Sequence, residues 1–265
     1  MSVSFDRAAG YYDRTRTIPD SLMANLLPAL LAELPKEGAC IEIGVGTGRI
    51  ALPLVHEGVR LVGVDISREM LLQLVINAAG AHIPIALADA TQLPFRDRTF
   101  TAAIAAHVLH LIPNWKAAVD ELTRVLTPGA VILVSRGALG RTRDSGAGPT
   151  AEWDRRLVRQ FFAEAGDPPW PPGLDAITEL DQYLGDRCSQ LYELPEIFAV
   201  GASSVNDLLA TLEAGYWAAC WNLDESVRTR SAEKARDWAR AEYGDLDSPR
   251  PILEGSFWHV YRLAE

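Results

Sequence analysis

Ile41-Glu-Ile-Gly44-Val-Gly46-Thr-Gly48 decides how this chain is read. The apolar run Ala39–Ile43 enters glycines at every second position, and a helical pattern, Arg49 to His56, follows. A strand, a glycine turn and a helix in that order let a backbone approach a nucleotide-like ligand closely. A Cβ in such a turn would block the left-handed backbone or the ligand. The spacing separates ligand types. A dinucleotide fingerprint needs Gly or Ala where Arg49 stands, and a phosphate-binding loop needs Gly-Lys-Ser/Thr, which is absent after Gly48.

Working outward, apolar strands are predicted at 39–43, 60–64, 83–88, 101–106 and 130–135, with helices at 49–56, 68–79 and 115–126 between them. Short, fully apolar strands alternating with helices predict a parallel sheet covered on both faces. After residue 150 the pattern changes. Trp153, Leu157 and Phe161 share one helical face, Ser204 to Asp207 opens a second helix with a capping-box pattern, and 231–243 forms a third. Ser256 to Arg262 alternates as a strand returning to the sheet edge. Loops are expected over Gly137–Thr150 and Gly166–Gly173.

Ligands of such a sheet bind at the carboxyl ends of its strands. Asp65 closes the second strand, 17 residues past Gly48, where a carboxylate can accept both hydroxyls of a ribose. The other reading, a cap for the next helix, is weakened because Ser67 can fill it. Asp89 closes the third strand. It can accept from an adenine amine while the Ala90 amide reaches a ring nitrogen, or it can simply form a turn.

With these pieces together the chain resembles a class I S-adenosylmethionine-dependent methyltransferase of the type-11 domain family. The matching stretches are Phe5-Asp-Arg with Tyr12-Asp-Arg and Arg16, Ile41–Gly48, Gly63-Val-Asp65-Ile-Ser67 with Met70-Leu71, Asp89-Ala90 with Leu93-Pro94-Phe95, His107-Val-Leu-His110-Leu, and Arg124-Val-Leu-Thr-Pro128-Gly129. The resemblance covers residues 5 to about 135. It implies a Rossmann-like, doubly wound seven-stranded sheet with the last strand antiparallel. It implies that Gly44, Val45, Gly46, Asp65, Asp89, Ala90 and Ala106 hold the cofactor, that Ile66 and Met70 line the adenine, and that an N-terminal lid brings Tyr12 and Arg16 to the methionine carboxylate. An ordinary amphipathic helix surface is the plainer reading of Tyr12 and Arg16. Two departures are small: Thr101 stands where the family often has Asp, and Ala130 replaces the second glycine of Pro-Gly-Gly.

The expected organisation is a cofactor-binding core with its lid over 1–137, a mostly helical substrate cap with a late core strand over 138–250, and a C-terminal strand over 251–265. The expected activity is methylation of an O, N or C atom of a small molecule. A methyltransferase-like cyclase, a cofactor-binding regulatory protein and, more distantly, a nicotinamide oxidoreductase are the competing readings. His107, after the fourth strand, is the candidate base and substrate contact, and packing beside the cofactor is its alternative; His110 is read as structural. Six of seven tryptophans follow residue 150. Most would form the cap's own core, and Trp153, Tyr216 and Trp217 are the candidates for facing substrate.

Composition narrows the partners. A net charge of −10 with no run of five like charges argues against nucleic acid. No stretch of 18 apolar residues argues for a span, and the N-terminus lacks a signal-peptide core. Three scattered cysteines, Cys40, Cys188 and Cys220, read as reduced thiols of a cytoplasmic protein. No His, Cys or carboxylate cluster completes a metal site around His107 and His110. The expected state is monomer or homodimer.

Overall fold

The computed structural model describes residues 3–137, 152–166 and 173–265. The predicted loops over 138–150 and 167–172, with Trp170, lie outside the described residues.

Two compact units emerge. The first comprises Met1–Ser145, Pro172–Ile197 and Gly255–Glu265; the second comprises Gly146–Pro171 and Phe198–Glu254. Of the span 138–250, expected as a mostly helical cap with a late core strand, residues 172–197 group with the first unit.

The first unit is built on a sheet ordered β3-β2-β1-β4-β5-β8-β6. Its strands are β1 (Cys40–Ile43), β2 (Leu61–Asp65), β3 (Ile85–Leu87), β4 (Phe100–Ala106), β5 (Leu126–Gly137), β6 (Cys188–Glu193) and β8 (Arg250–Leu263); β7 (Ile197–Ser203) also pairs with β8. β1 to β5 pair in parallel, and β8 runs antiparallel to both β5 and β6. Among the described residues the doubly wound α/β sheet thus has eight strands where seven were expected, and its last strand in the chain, β8, runs against its neighbours β5 and β6. The C-terminal strand is not at the edge, as its alternation implied. β8 lies between β5 and β6, and its centre is buried on both faces, with Trp258 and Val260 turned one way and Tyr261 the other.

β1 and β4 are central, so their residues are buried and read as apolar runs. One sheet face packs Ile104, Val131 and Leu133 against α2 (Asp20–Glu33) through Leu26 and Leu30, and against α4 (Arg68–Asn77) through Leu71 and Leu74. The other packs Ala103, Ile132 and Val134 against α5 (Trp115–Val125) and α7 (Ile177–Leu184). The turn between β1 and α3 (Ala51–His56) is thus held rigidly at the carboxyl end of the sheet.

In the second unit α6 (Glu152–Ala165), α8 (Val205–Glu213) and α9 (Glu225–Tyr243) share a core of Leu157, Phe161, Leu209, Leu212, Ala232 and Ala235. The capping box on α8 is formed: Ser204 Oγ accepts from the Asp207 N–H at 3.0 Å, and the Asp207 carboxylate accepts from the Ser204 N–H at 3.2 Å. Among the described residues no helix is long and apolar enough to cross a membrane.

Candidate cofactor and acceptor site

Gly44 and Gly46 sit at φ +64° and +55°, a conformation that penalises any side chain. Their surroundings differ. A Cβ on Gly44 would strike the Val108 side chain, so this glycine serves packing. A Cβ on Gly46 would meet nothing nearer than the Gly44 carbonyl at 3.9 Å, so open space lies above the backbone there. Val45 is buried and packs against Gly63, which locks the loop onto β2.

Asp65, at the tip of β2, faces this opening. Its Oδ2 accepts the Gly46 N–H at 2.8 Å and its Oδ1 accepts the Ser67 N–H at 2.8 Å. Burial pushes its carboxyl upward, the backbone donors oppose this, and the Asp6 charge adds to the rise. A carboxylate has about four lone-pair sites, so the main-chain donors of Ser67, Gly46 and Ile66 still leave room for a ligand hydroxyl. Ser67, not Asp65, caps α4, its Oγ accepting the Met70 N–H at 3.2 Å. Met70 is buried and Ile66 half-buried beside this turn.

Asp89 follows β3. Its Oδ1 accepts the N–H and the hydroxyl of Thr91, each at 2.9 Å, so the turn-forming role is present. Its Oδ2 has no protein partner among the described residues. The next stretch is pinned by Arg124, which donates to the carbonyls of Leu93 and Phe95 and to Glu121 and Asp97.

Sequence reasoning missed Glu42. It lies in the middle of β1, 2% exposed, and its Oε2 has no hydrogen-bond partner. Burial lifts its carboxyl well above the ordinary range; the Arg49 charge opposes this and the Asp65 charge adds to it. The signal was visible: a carboxylate inside an otherwise apolar central strand is expensive unless something pairs with it.

Arg49 was read only as the residue that breaks a fingerprint. Its guanidinium donates to Tyr12 Oη at 3.1 Å, lies over the Tyr12 ring at 5.0 Å, and donates to the Arg16 carbonyl. Tyr12 and Arg16 therefore lie beside the glycine loop, on an N-terminal strap containing the helical turn α1 (Tyr12–Thr15). Two carboxylates hold the strap down. Asp6 accepts from Ser67 Oγ at 2.6 Å and the Glu69 N–H at 3.2 Å. Asp13 accepts from Thr47 Oγ1 at 2.5 Å and Asn77 Nδ2 at 2.8 Å.

His107 follows Ala106 at the tip of β4. It adopts φ +55°, and its N–H donates to the Ser135 carbonyl at 2.8 Å. Such a backbone costs about 1–3 kcal/mol and marks places the surrounding structure over-determines. Burial, then the charges of Arg49, His110 and Arg16, push the imidazole down to about 3. It is neutral at physiological pH, and so acid a conjugate acid is a weak proton store. His110, in the following turn, is also half-buried. Among the described residues no three His, Cys, Asp or Glu side chains gather around a cation position.

Trp153, Tyr216 and Trp217 lie in the second unit. Trp153 donates its indole N–H to the Pro251 carbonyl at 2.9 Å, and Trp217 donates to Thr211 Oγ1 at 3.0 Å. Both rings pack on that unit's apolar core, and Tyr216 is half-buried.

The sequence model of a family described as Methyltransferase domain matches residues 41–134. An uncharacterized methyltransferase of Mycobacterium tuberculosis is 32% identical over 169 residues, covering 63% of this chain and 62% of that protein. An uncharacterized protein of Methanocaldococcus jannaschii is 33% identical over 161 residues, 61% of this chain and 72% of that protein. The demethylmenaquinone methyltransferase of Clavibacter sepedonicus is 32% identical over 139 residues, 51% of this chain and 56% of that protein. The chain thus spans 62% of the length of its mycobacterial relative. Among solved structures, the YcgJ protein of Bacillus subtilis superposes with TM-score 0.60 at 18% identity, covering 92% of this chain and 98% of that one. The cyclase SpnF superposes with TM-score 0.54 at 16% identity, covering 91% and 82%. At such identities the likeness is one of fold.

Proposed function

Since the chain belongs to the class I S-adenosylmethionine-dependent methyltransferases, we propose that it is a cytoplasmic enzyme that methylates an O, N or C atom of a small molecule with S-adenosylmethionine. The observation that carries this reading is the pairing of an open backbone cradle at Gly46 with a buried, unpartnered Glu42 carboxyl oxygen on β1, the strand that feeds the loop. Burial disfavours the charge on this carboxyl, a cation beside it favours that charge again, and an adenosyl amino acid brings an ammonium.

The assignments follow the strand tips. Asp65 takes the ribose hydroxyls. Asp89 Oδ2 and the Ala90 amide take the adenine edge, with Ile66 and Met70 against its face. Gly44, Val45 and Gly46 give the main chain along which the cofactor lies, and Glu42 takes the ammonium. Tyr12 and Arg16, on the strap, serve the carboxylate. The cofactor supplies an electrophilic methyl group when bound. The protein's part is to align an acceptor opposite the leaving sulfur, at about 3–3.5 Å, and to exclude water.

Ala106 and His107 border the reactive end. His107 enters neutral, so it accepts a hydrogen bond from the acceptor's O–H or N–H and orients it. His107→Ala is expected to cut turnover about tenfold, the loss of one orienting hydrogen bond, while cofactor affinity changes less than threefold. Equal turnover in the variant would leave His107 as packing. The low value of about 3 adds a pH signature. An imidazole depressed in the folded state stabilises fully above its unfolded value of 6.5 and loses that stability as pH falls toward 3. Thermal melts of His107→Ala should therefore be less acid-sensitive than wild type across that window.

The strap must part for the cofactor to enter. Asp13→Ala removes the bonds to Thr47 and Asn77. It is expected to speed S-adenosylhomocysteine release about tenfold in stopped-flow displacement, from a loss of about 1–2 kcal/mol of latch. An unchanged release rate would show that the strap does not gate the site.

The test of the whole reading is a metabolite screen for S-adenosylhomocysteine accumulation with a product 14 daltons heavier than its precursor. Substrate turnover without S-adenosylhomocysteine would favour a cyclase-like reaction on the same fold.

A further inference from the structure

We propose that the chain forms a homodimer through the outer face of α4 and the edge strand β3. Among the described residues seven large apolar side chains are exposed, and five belong to this region: Leu72 at 43%, Val75 at 56%, Ile76 at 68%, Ile85 at 37% and Leu87 at 57%. Leu72, Val75 and Ile76 fall at i, i+3 and i+4 and form one stripe on α4. Ala86 and Ala88 pack into the apolar layer on the α5 side of the sheet. Alternation then turns Ile85 and Leu87 to the opposite side, where Leu71 and Leu74 of α4 pack. Stripe and strand therefore form one continuous apolar surface.

The strand edge is open as well. Among the described residues β3 has β2 as its only neighbour in the sheet. The Pro84 carbonyl accepts from Gly63 and the Ala88 N–H donates to Asp65, so the intervening Ile85 and Leu87 point their N–H and C=O groups away from β2. An unpaired edge of this kind is a template for another strand, and a two-fold axis lets it pair with its own copy.

Area and charge favour a second copy as the occupant. The five side chains expose about 500 Å², near the top of the roughly 300–600 Å² range for a monomer's largest patch. Two such faces bury about 1,000 Å², the lower bound for a specific interface. The charged residues at the start of α4, Arg68 and Glu69, neutralise each other at 3.2 Å. The five patch side chains themselves carry no charge, so their contact with a second copy sets no like-charged pair face to face.

The test is sedimentation equilibrium of the full chain between about 1 and 100 μM. The expected mass rises from 29.0 kDa toward twice that value with concentration. Ile76→Asp and Leu87→Lys are each expected to weaken association at least tenfold without lowering the melting temperature. Val200→Asp, at an exposed position on β7, should leave it unchanged. A monomer throughout the range, or a dimer indifferent to both α4–β3 substitutions, overturns the proposal. So does a monomer that floats with phosphatidylcholine vesicles, which would assign the patch to a lipid surface.

Discussion

Asp65→Ala is expected to lower S-adenosylmethionine affinity at least tenfold in titration calorimetry, with a fold that still melts cooperatively. The reason is local. The carboxylate stands at the β2 tip with its oxygens already oriented by the Gly46 and Ser67 N–H groups. It thus presents a prearranged acceptor to a ribose diol, and each charge-assisted bond contributes about 1.5–3 kcal/mol. The same substitution frees the Gly46 amide, so part of the loss is loop order. Asp65→Asn separates the two effects. An amide keeps one acceptor for Gly46 but loses the charge, and its affinity should fall between wild type and alanine. Unchanged affinity in both variants would contradict the ribose assignment.

Glu42→Gln should move two quantities in opposite directions. In the free protein the raised carboxyl pKa means that burial disfavours the charged form. A group raised in the folded state contributes its full stability below its unfolded value near 4.5, and that stability is lost as pH climbs through the folded value. Glutamine has no such titration, so the variant without ligand should melt higher than wild type at neutral pH. Its cofactor affinity should nevertheless drop about 10–100-fold, because the ammonium loses its counter-ion in a dry site. A purely structural Glu42 would change stability and leave binding alone, so the crossed result is diagnostic.

Most of the sheet was legible because β1, β2 and β4 are largely buried and mostly apolar, with Glu42, Asp65 and Thr101 as the polar exceptions. The glycine spacing and the two aspartates at strand tips were legible for a related reason: the positions are fixed by local chain order. β6 was not, since Ser189, Gln190 and Leu191 are exposed on a half-covered strand. The place of β8 was not legible either, because alternation reports a strand's faces and not its neighbours. Helix α2 carries Pro28 in its interior, and only its Leu22, Leu26 and Leu30 spacing betrays it. At the site, the parts that escaped are tertiary. Glu42 acquires meaning from what fails to pair with it, Arg49 from a strap more than 30 residues away, and His107 from a backbone conformation no periodicity encodes.

The central claim is tested most directly by a crystal structure of the protein grown with S-adenosylhomocysteine. The account predicts one molecule across the strand tips, its ribose on Asp65, its amino group on Glu42 and its adenine beside Asp89 and Ala90. An empty crevice at Gly44–Gly48, or the same ligand seated elsewhere, would contradict it.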